Sequence, residues 1–392
     1  MKKNWIAALA AVSAMAMVLG GCGTGSSAPE SSGAVSSAPE TAAETEEETE
    51  EGPASGKTAV LLALEDSVQT DAVWDGIRKY SEEYNYTSTT VDWRGSRTED
   101  RLEELVASEA DAGFSAVFCY GEAFGPAVRA ASEAYPDTRF VLLGASGPFA
   151  LGEGKETAED NVYILDFSEE QAGFLAGFSA VADGSMELGF IGKEEDPSST
   201  RFGYGFIQGA DAAALERERE ISVKYACVGE DPKEAETLAA SWFDGGCDLI
   251  FAPGREAAEG VLKAAEEKNG LMMVSGPGSM EPSDRILAVS ELDLSGAVYR
   301  AFGMMDTGEW KGGTVQSLKN GTDAPGIDLE TSRFSGFSED EYQIVTDSLK
   351  AGDYAPVSDR GKDGNHLEIS DLTLTNTEVR TVPGEKEEEA AP

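Results

Sequence analysis

Short apolar runs of strand length alternate along the chain with stretches whose apolar residues recur at helical spacing. The first run, Ala59-Val60-Leu61-Leu62-Ala63-Leu64, suits a buried strand. Residues 65–70 are a polar turn. From Asp71 onward Val73, Ile77, Tyr80 and Tyr84 share one helical face, with Asp71 in the first turn. Further strand-like runs are Val117-Phe118-Cys119-Tyr120, Phe140-Val141-Leu142-Leu143, Val162-Tyr163-Ile164-Leu165 and Leu188-Gly189-Phe190-Ile191, then 221–226, Leu249-Ile250-Phe251-Ala252, Leu271-Met272-Met273-Val274 and 286–289. Between them the spacing predicts helices over 126–135, 169–181 (Phe174, Leu175, Phe178 and Val181 on one face), 206–215 and 257–268. Regular alternation of this kind predicts an α/β fold with parallel sheets covered by helices on both faces. Two such sheets make two Rossmann-like lobes facing a ligand cleft. Ligands of open α/β sheets sit outside the carboxyl ends of the strands, so the 65–70 loop is the first place to look.

The ends of the chain read differently. Lys2 and Lys3 precede an apolar and small-residue stretch, 5–19, too short to span a bilayer comfortably. It ends in Leu19-Gly20-Gly21-Cys22, which resembles a bacterial lipobox. Residues 1–22 are thus expected to be a lipoprotein signal, with Cys22 lipidated to anchor a soluble protein at the extracytoplasmic face of the cell membrane. An ordinary secretory signal containing a cysteine is the alternative. Residues 23–56 hold Ser, Ala, Pro, Gly, Glu and Thr with one large aliphatic, Val35, a composition that predicts a disordered tether stretched by its acids at 44–51. Residues 356–392 form an acidic tail expected to be partly disordered, in which 366–381 has strand-like alternation that the pattern leaves undecided. The folded part is then 57–355. Its first lobe is expected over 57–166 plus a later segment near 284–310, its second over 167–283 plus the C-terminal part.

Charge and composition narrow the function. Against 73 acidic residues stand 30 basic ones, a formal net charge of −43, which argues against nucleic acid or acidic lipid as a partner. Cys119, Cys227 and Cys247 form no CxxC or Cys/His cluster, so no metal site is expected. A Cys227–Cys247 disulfide and free buried thiols both remain open. The only histidine, His366, lies in the tail, which excludes a Ser-His-Asp or Cys-His arrangement inside the lobes. Gly189-Phe190-Ile191-Gly192-Lys193 lacks the four-residue gap and the hydroxyl residue of a phosphate loop. Carboxylate pairs such as Glu65/Asp66 and Glu291/Asp293 could support two-carboxylate chemistry, but so acidic a chain brings acids together by chance. No catalytic residue and no cofactor is assigned.

Phe167-Ser168-Glu169-Glu170-Gln171-Ala172-Gly173-Phe174-Leu175-Ala176-Gly177-Phe178 resembles a segment of the basic membrane protein family, the nucleoside-binding lipoproteins of ABC importers. The similarity continues through Leu188-Gly189-Phe190-Ile191-Gly192, Arg201-Phe202-Gly203-Tyr204-Gly205-Phe206-Ile207-Gln208-Gly209-Ala210, Asp231-Pro232-Lys233 and Phe243-Asp244-Gly245-Gly246-Cys247-Asp248-Leu249-Ile250, then 257–268 and Val298-Tyr299. It implies the periplasmic-binding-protein type I fold, a small-molecule ligand such as a nucleoside, and an ABC permease as partner.

The family's ligand residues carry over only in part. Its first loop reads Asp-Lys-Ser-Phe-Asn-Gln before a Trp-acid-Gly helix. Trp74-Asp75-Gly76 fits and Asp66 takes the acidic position, but Gln69 stands where the base-stacking Phe belongs and Thr70 replaces Asn. After the 140–143 run the family's Asp becomes Gly144-Ala145-Ser146, the aromatic before Asp231 becomes Gly229, and the ribose-binding Asp becomes Ser275-Gly276. The family's downstream Lys falls at Leu292 or Glu291. A purine needs a stacking face and a ribose diol a carboxylate, so the pocket reads as rewritten. Replacement faces are sought in Trp93, Tyr120 (with Gly121 beside it), Phe124, Phe149 and Phe202. Arg255, after Pro253-Gly254, either points into the cleft or pairs with Glu256 or Glu259 at the surface. Glu291 and Asp293 either face the cleft or lie in a solvated loop. The candidate ligand set is Asp66, Gln69, Thr70, Tyr120, Gly121, Ser146, Phe202, Gly254, Arg255, Ser275 and Glu291. The leading expectation is a lipid-anchored solute-binding protein serving a permease. A ligand sensor on the same scaffold is the alternative, ahead of an enzyme or a diverged copy that binds nothing.

Overall fold

The computed structural model describes residues 57–64, 67–152, 154–276, 280–318, 325–361 and 365–382. The signal segment, Cys22, the tether, Asp66 and the end of the tail lie outside the described residues. In chain order the elements are β1 (Thr58–Ala63), α1 (Val68–Tyr84), β2 (Thr87–Asp92), α2 (Glu99–Asp111), β3 (Ala116–Tyr120), α3 (Gly125–Ala134), β4 (Arg139–Leu143), a short α4 (Gly147–Leu151) and β5 (Val162–Asp166). There follow α5 (Glu169–Asp183), β6 (Glu187–Lys193), α6 (Pro197–Glu216), β7 (Ile221–Val228), α7 (Pro232–Asp244), β8 (Leu249–Ala252), α8 (Arg255–Lys268), β9 (Leu271–Ser275) and β10 (Ile286–Glu291). The last are α9 (Leu294–Thr307), β11 (Thr314–Ser317), β12 (Gly326–Ile327), α10 (Glu339–Ala351) and β13 (Thr377–Thr381).

Two sheets result, ordered β11-β5-β4-β3-β1-β2 and β12-β10-β9-β8-β6-β7-β13. All pairings are parallel except β10 with β12. The unbroken apolar run in β1 reflects burial on both sides: Ala59 and Leu61 join one core with α1 and α9, Val60 and Leu62 another with α2 and α3. In the second sheet α5 and α6 cover one face, α7 and α8 the other.

The glycines of the family-like segments explain the closest helix pair. A Cβ at Gly173, Gly177, Gly205 or Gly209 would stand 2.0 Å from a backbone oxygen of the facing helix. Only glycine lets α5 and α6 pack backbone against backbone, which brings the first turns of both helices together. Glu169 opens α5, and Arg201 begins the second turn of α6.

The pattern passed over β2, α2, α4, α7, β11, β12 and α10. β2 (TSTTVD) and β11 are edge strands with little burial, so their sequences lack a core signature. Within 366–381, residues 377–381 are ordered as β13, parallel to β7. Gly189 to Lys193 lies inside β6, and Gly189 is small because Trp242 packs over it. The segment returning to the first lobe is α9 with β11, whereas the 286–289 run belongs to the second sheet as β10, paired with β9. Cys119, Cys227 and Cys247 are free thiols, which removes the disulfide alternative.

Candidate functional site

The order of each sheet reverses between β1 and β3 and between β6 and β8, and crevices outside the carboxyl ends of strands open at such points. The loops there face one another across a cleft. Its larger compartment, about 770 Å³, is walled by Leu64, Ser67 and Gln69 beyond β1, Tyr120, Gly121 and Glu122 beyond β3, and Gly144 beyond β4. From the second lobe come Glu169, residues 193–199 with Arg201 and Phe202, and 253–256. A smaller compartment of about 500 Å³ is bounded by Asp71, Asp75, Ser275, Gly276 and residues 290–295. Gln69, Phe202 and Arg255 wall both.

The helix starts here one turn earlier than periodicity implies. Ser67 caps α1 by accepting from the Thr70 amide at 3.1 Å, so Gln69 and Thr70 are helical. Gln69 then reaches across the cleft, its Nε2 donating to Ser275 Oγ at 3.5 Å, while Ser275 Oγ donates to the Pro253 carbonyl at 2.6 Å. Arg255 opens α8, where the helix dipole disfavours a cation. Its compensation comes from the other lobe: Nη2 donates to Asp71 Oδ2 at 2.6 Å, in place of the surface pairing with Glu256 or Glu259.

The cleft wall also holds a buried ionic cluster. Arg201 Nε and Nη2 donate to the two Glu169 oxygens at 2.8 and 3.2 Å, with the two side chains only 4 % and 1 % exposed. Arg201 also donates to two groups of the first lobe, the Gly144 carbonyl at 3.3 Å and Glu122 at 3.4 Å, and lies 4.0 Å from Asp359. Arg360 donates to the other Glu122 oxygen at 3.1 Å. Burial works against the guanidinium charge of Arg201, but the surrounding carboxylates outweigh it and raise its pKa further. Next to the cluster, burial pushes the Glu170 carboxyl up to about 8, with Asp166 and Glu169 adding to the shift. In the smaller compartment burial raises the Glu291 carboxyl, helped by Asp328 and Asp293.

Gln69, Tyr120, Gly121, Phe202, Gly254, Arg255, Ser275 and Glu291 thus meet around one cleft. Thr70 does not line it, because its hydroxyl faces Ser67 Oγ at 3.0 Å. Ser146 precedes α4 with its hydroxyl buried away from the cavity. Asp66 is outside the described residues. Of the aromatic faces, Tyr120, Phe149 and Phe202 line the larger compartment, whereas Phe124 is in the first-lobe core and Trp93 packs on its margin. Asp293 caps α9, accepting from the Gly296 amide at 2.9 Å. Sequence reasoning passed over Glu122, Glu169, Arg201 and Arg360. The one available signal was an arginine set among the aromatics and glycines of α6. Among the described residues no group of His, Cys, Asp and Glu is arranged to hold a metal ion, and no helix is long and apolar enough to cross a membrane.

A family model, Bmp, described as ABC transporter substrate-binding protein PnrA-like, matches residues 59–319. The ABC transporter nucleoside-binding protein BmpA of Lactococcus lactis subsp. cremoris is 24% identical over 292 residues, covering 69% of this chain and 80% of that protein. A CD4+ T-cell-stimulating antigen of Listeria innocua is 22% identical over 271 residues, covering 68% and 69%. Among solved structures, an ABC transporter solute-binding protein from Aeropyrum pernix K1 superposes with a TM-score of 0.64 at 16% identity, covering 79% of this chain and 95% of that one.

Proposed function

The chain belongs to the Bmp family of PnrA-like ABC transporter substrate-binding proteins, and from that membership we propose a lipid-anchored extracytoplasmic protein that captures a small polar solute for a permease. The observation that carries this reading is a single cleft lined from both lobes, with side chains already touching across it: Asp71 with Arg255 and Gln69 with Ser275. A solute held by both sides favours the closed arrangement by its differential affinity for it.

Tyr120 and Phe149 supply apolar faces, and Gln69, Ser275 and Glu291 supply polar contacts. BmpA is named nucleoside-binding, and a nucleoside-like outline suits a cleft with aromatic faces at Tyr120 and Phe149. Arg201 and Arg255 are both committed to carboxylates of the protein, so an anionic solute would have to displace an ion pair to gain either cation. Arg97 and Lys193 also line the larger compartment, but carboxylates outnumber cations on its wall seven to four, so neutral or cationic solutes fit better.

Thermal unfolding of the purified full-length protein against nucleosides, sugars, amino acids and vitamins tests the reading. A compound at a hundred times its dissociation constant stabilises the native state by about 2.7 kcal/mol. A binder that also contracts the protein in small-angle scattering supports the proposal. A binder that leaves the dimensions unchanged argues against closure, and anionic compounds as the preferred class overturn the charge argument.

A further inference from the structure

The family match ends at residue 319, yet the chain continues through α10 into a segment described over 352–361 and 365–376, and then β13. That segment is fastened along one side of α6. Tyr204, Gln208 and Asp211 are spaced to share a helix face, and each bonds its backbone. Tyr204 Oη donates to the Leu367 carbonyl at 2.7 Å, and Gln208 brackets Val357, donating to its carbonyl at 2.8 Å and accepting from its amide at 2.9 Å. Asp211 accepts from the amides of Thr375 and Asn376, the latter at 2.7 Å. All of these contacts, and the β13–β7 pairing, lie within the second lobe.

Arg201 extends the same stripe by one turn and lies beside Asp359. At that point the segment leaves its own lobe: Arg360 donates to Glu122 at 3.1 Å, and its guanidinium sits 5.1 Å from the centre of the Phe149 ring. Glu122 and Phe149 belong to the first lobe and line the larger compartment.

We propose that the described stretches of this segment, 352–361 and 365–376, form a strap coupling the lobes, and that Arg360 is a positioning residue for the solute site: anchored to the second lobe, it holds Glu122 and covers Phe149 when the cleft is closed. The proposal rests on the lobe-closing reading above. An ion pair together with a cation–π contact is suited to the task, because both weaken quickly as the lobes separate.

Interlobe distances provide the test without a solute. Spin labels at Glu133→Cys and Glu267→Cys, both exposed, report the distance distribution in full-length protein carrying Cys22→Ala and Cys227→Ser. Arg360→Ala is expected to deplete the short-distance population, Glu122→Gln, which also loses Arg201, to deplete it at least as much, and the two together to add little to Glu122→Gln alone. Asp71→Asn, which removes the separate interlobe ion pair to Arg255, serves as the control. If Asp71→Asn shifts the distribution and Arg360→Ala does not, the strap proposal is overturned. If neither variant shifts it, the lobe-closing reading falls as well. A lower melting temperature with an unchanged distribution makes Arg360 a structural residue only, and also overturns the proposal.

Discussion

Replacing Arg201 by methionine removes the guanidinium while keeping most of the stem volume, so the change is chiefly electrostatic. Two hydrogen bonds to Glu169, at 2.8 and 3.2 Å, disappear along with the contacts to the Gly144 carbonyl and Glu122. Hydrogen bonds to charged groups contribute roughly 1.5–3 kcal/mol each, so the pair to Glu169 alone represents about 3–6 kcal/mol. Glu169 keeps one partner, the Ser198 hydroxyl at 3.2 Å, which offsets a little. What remains is a buried carboxylate beside Glu122 and Asp359 with their shared cation gone. Breaking one side of a buried pair costs about 3–5 kcal/mol, and that is the expected loss for Arg201→Met. At roughly 2–4 °C per kcal/mol for units of this size, the midpoint should fall by about 10 °C.

The assay is urea and thermal unfolding of wild type, Arg201→Met, Glu169→Gln and the double variant. Because the two side chains act on each other, the double variant should be more stable than the sum of the single losses implies, by roughly 0.5–3 kcal/mol of coupling. A loss below about 1 kcal/mol for Arg201→Met, or strict additivity in the cycle, would refute the claim that this buried pair organises the second-lobe side of the cleft.

Gly205→Ala should destabilise by at least the ~1–3 kcal/mol of ordinary overpacking, because its Cβ would sit 2.0 Å from the Glu170 carbonyl and force α5 from α6. Denaturation measures the cost, and an alanine tolerated within a few tenths of a kcal/mol would contradict the backbone-to-backbone packing. Glu170→Gln probes the carboxyl raised to about 8. The native state then holds a proton that the unfolded state gives up near the ordinary carboxylate pKa, so wild-type stability should decline as pH rises from about 4.5 to 8. The glutamine variant should match wild type at pH 4 and exceed it at pH 8, and parallel pH profiles would show that Glu170 titrates normally.

Much of this protein was legible from its order of residues alone. Apolar runs such as 59–64 and 140–143 report burial on both faces, and their alternation with helical stripes gives the parallel α/β lobes and the side of the sheets on which the cleft opens. The edge strands β2 and β11 escaped because exposure removes the pattern that marks a strand. Gln69 and Thr70 passed for a turn because a hydrogen bond from the Thr70 amide to the Ser67 cap, invisible to periodicity, starts α1 ahead of its apolar stripe. Only the tertiary structure could decide which charges meet. Arg201 and Glu122 are 79 residues apart, Asp71 and Arg255 184, and Glu122 and Arg360 238. Periodicity records how each residue faces its own sheet or helix, whereas a salt bridge across a cleft depends on where two separately folded lobes place their loops. In a chain with 73 acids, the sequence offers many partners for each arginine; packing selects among them, because burial makes an unmatched charge too costly to keep.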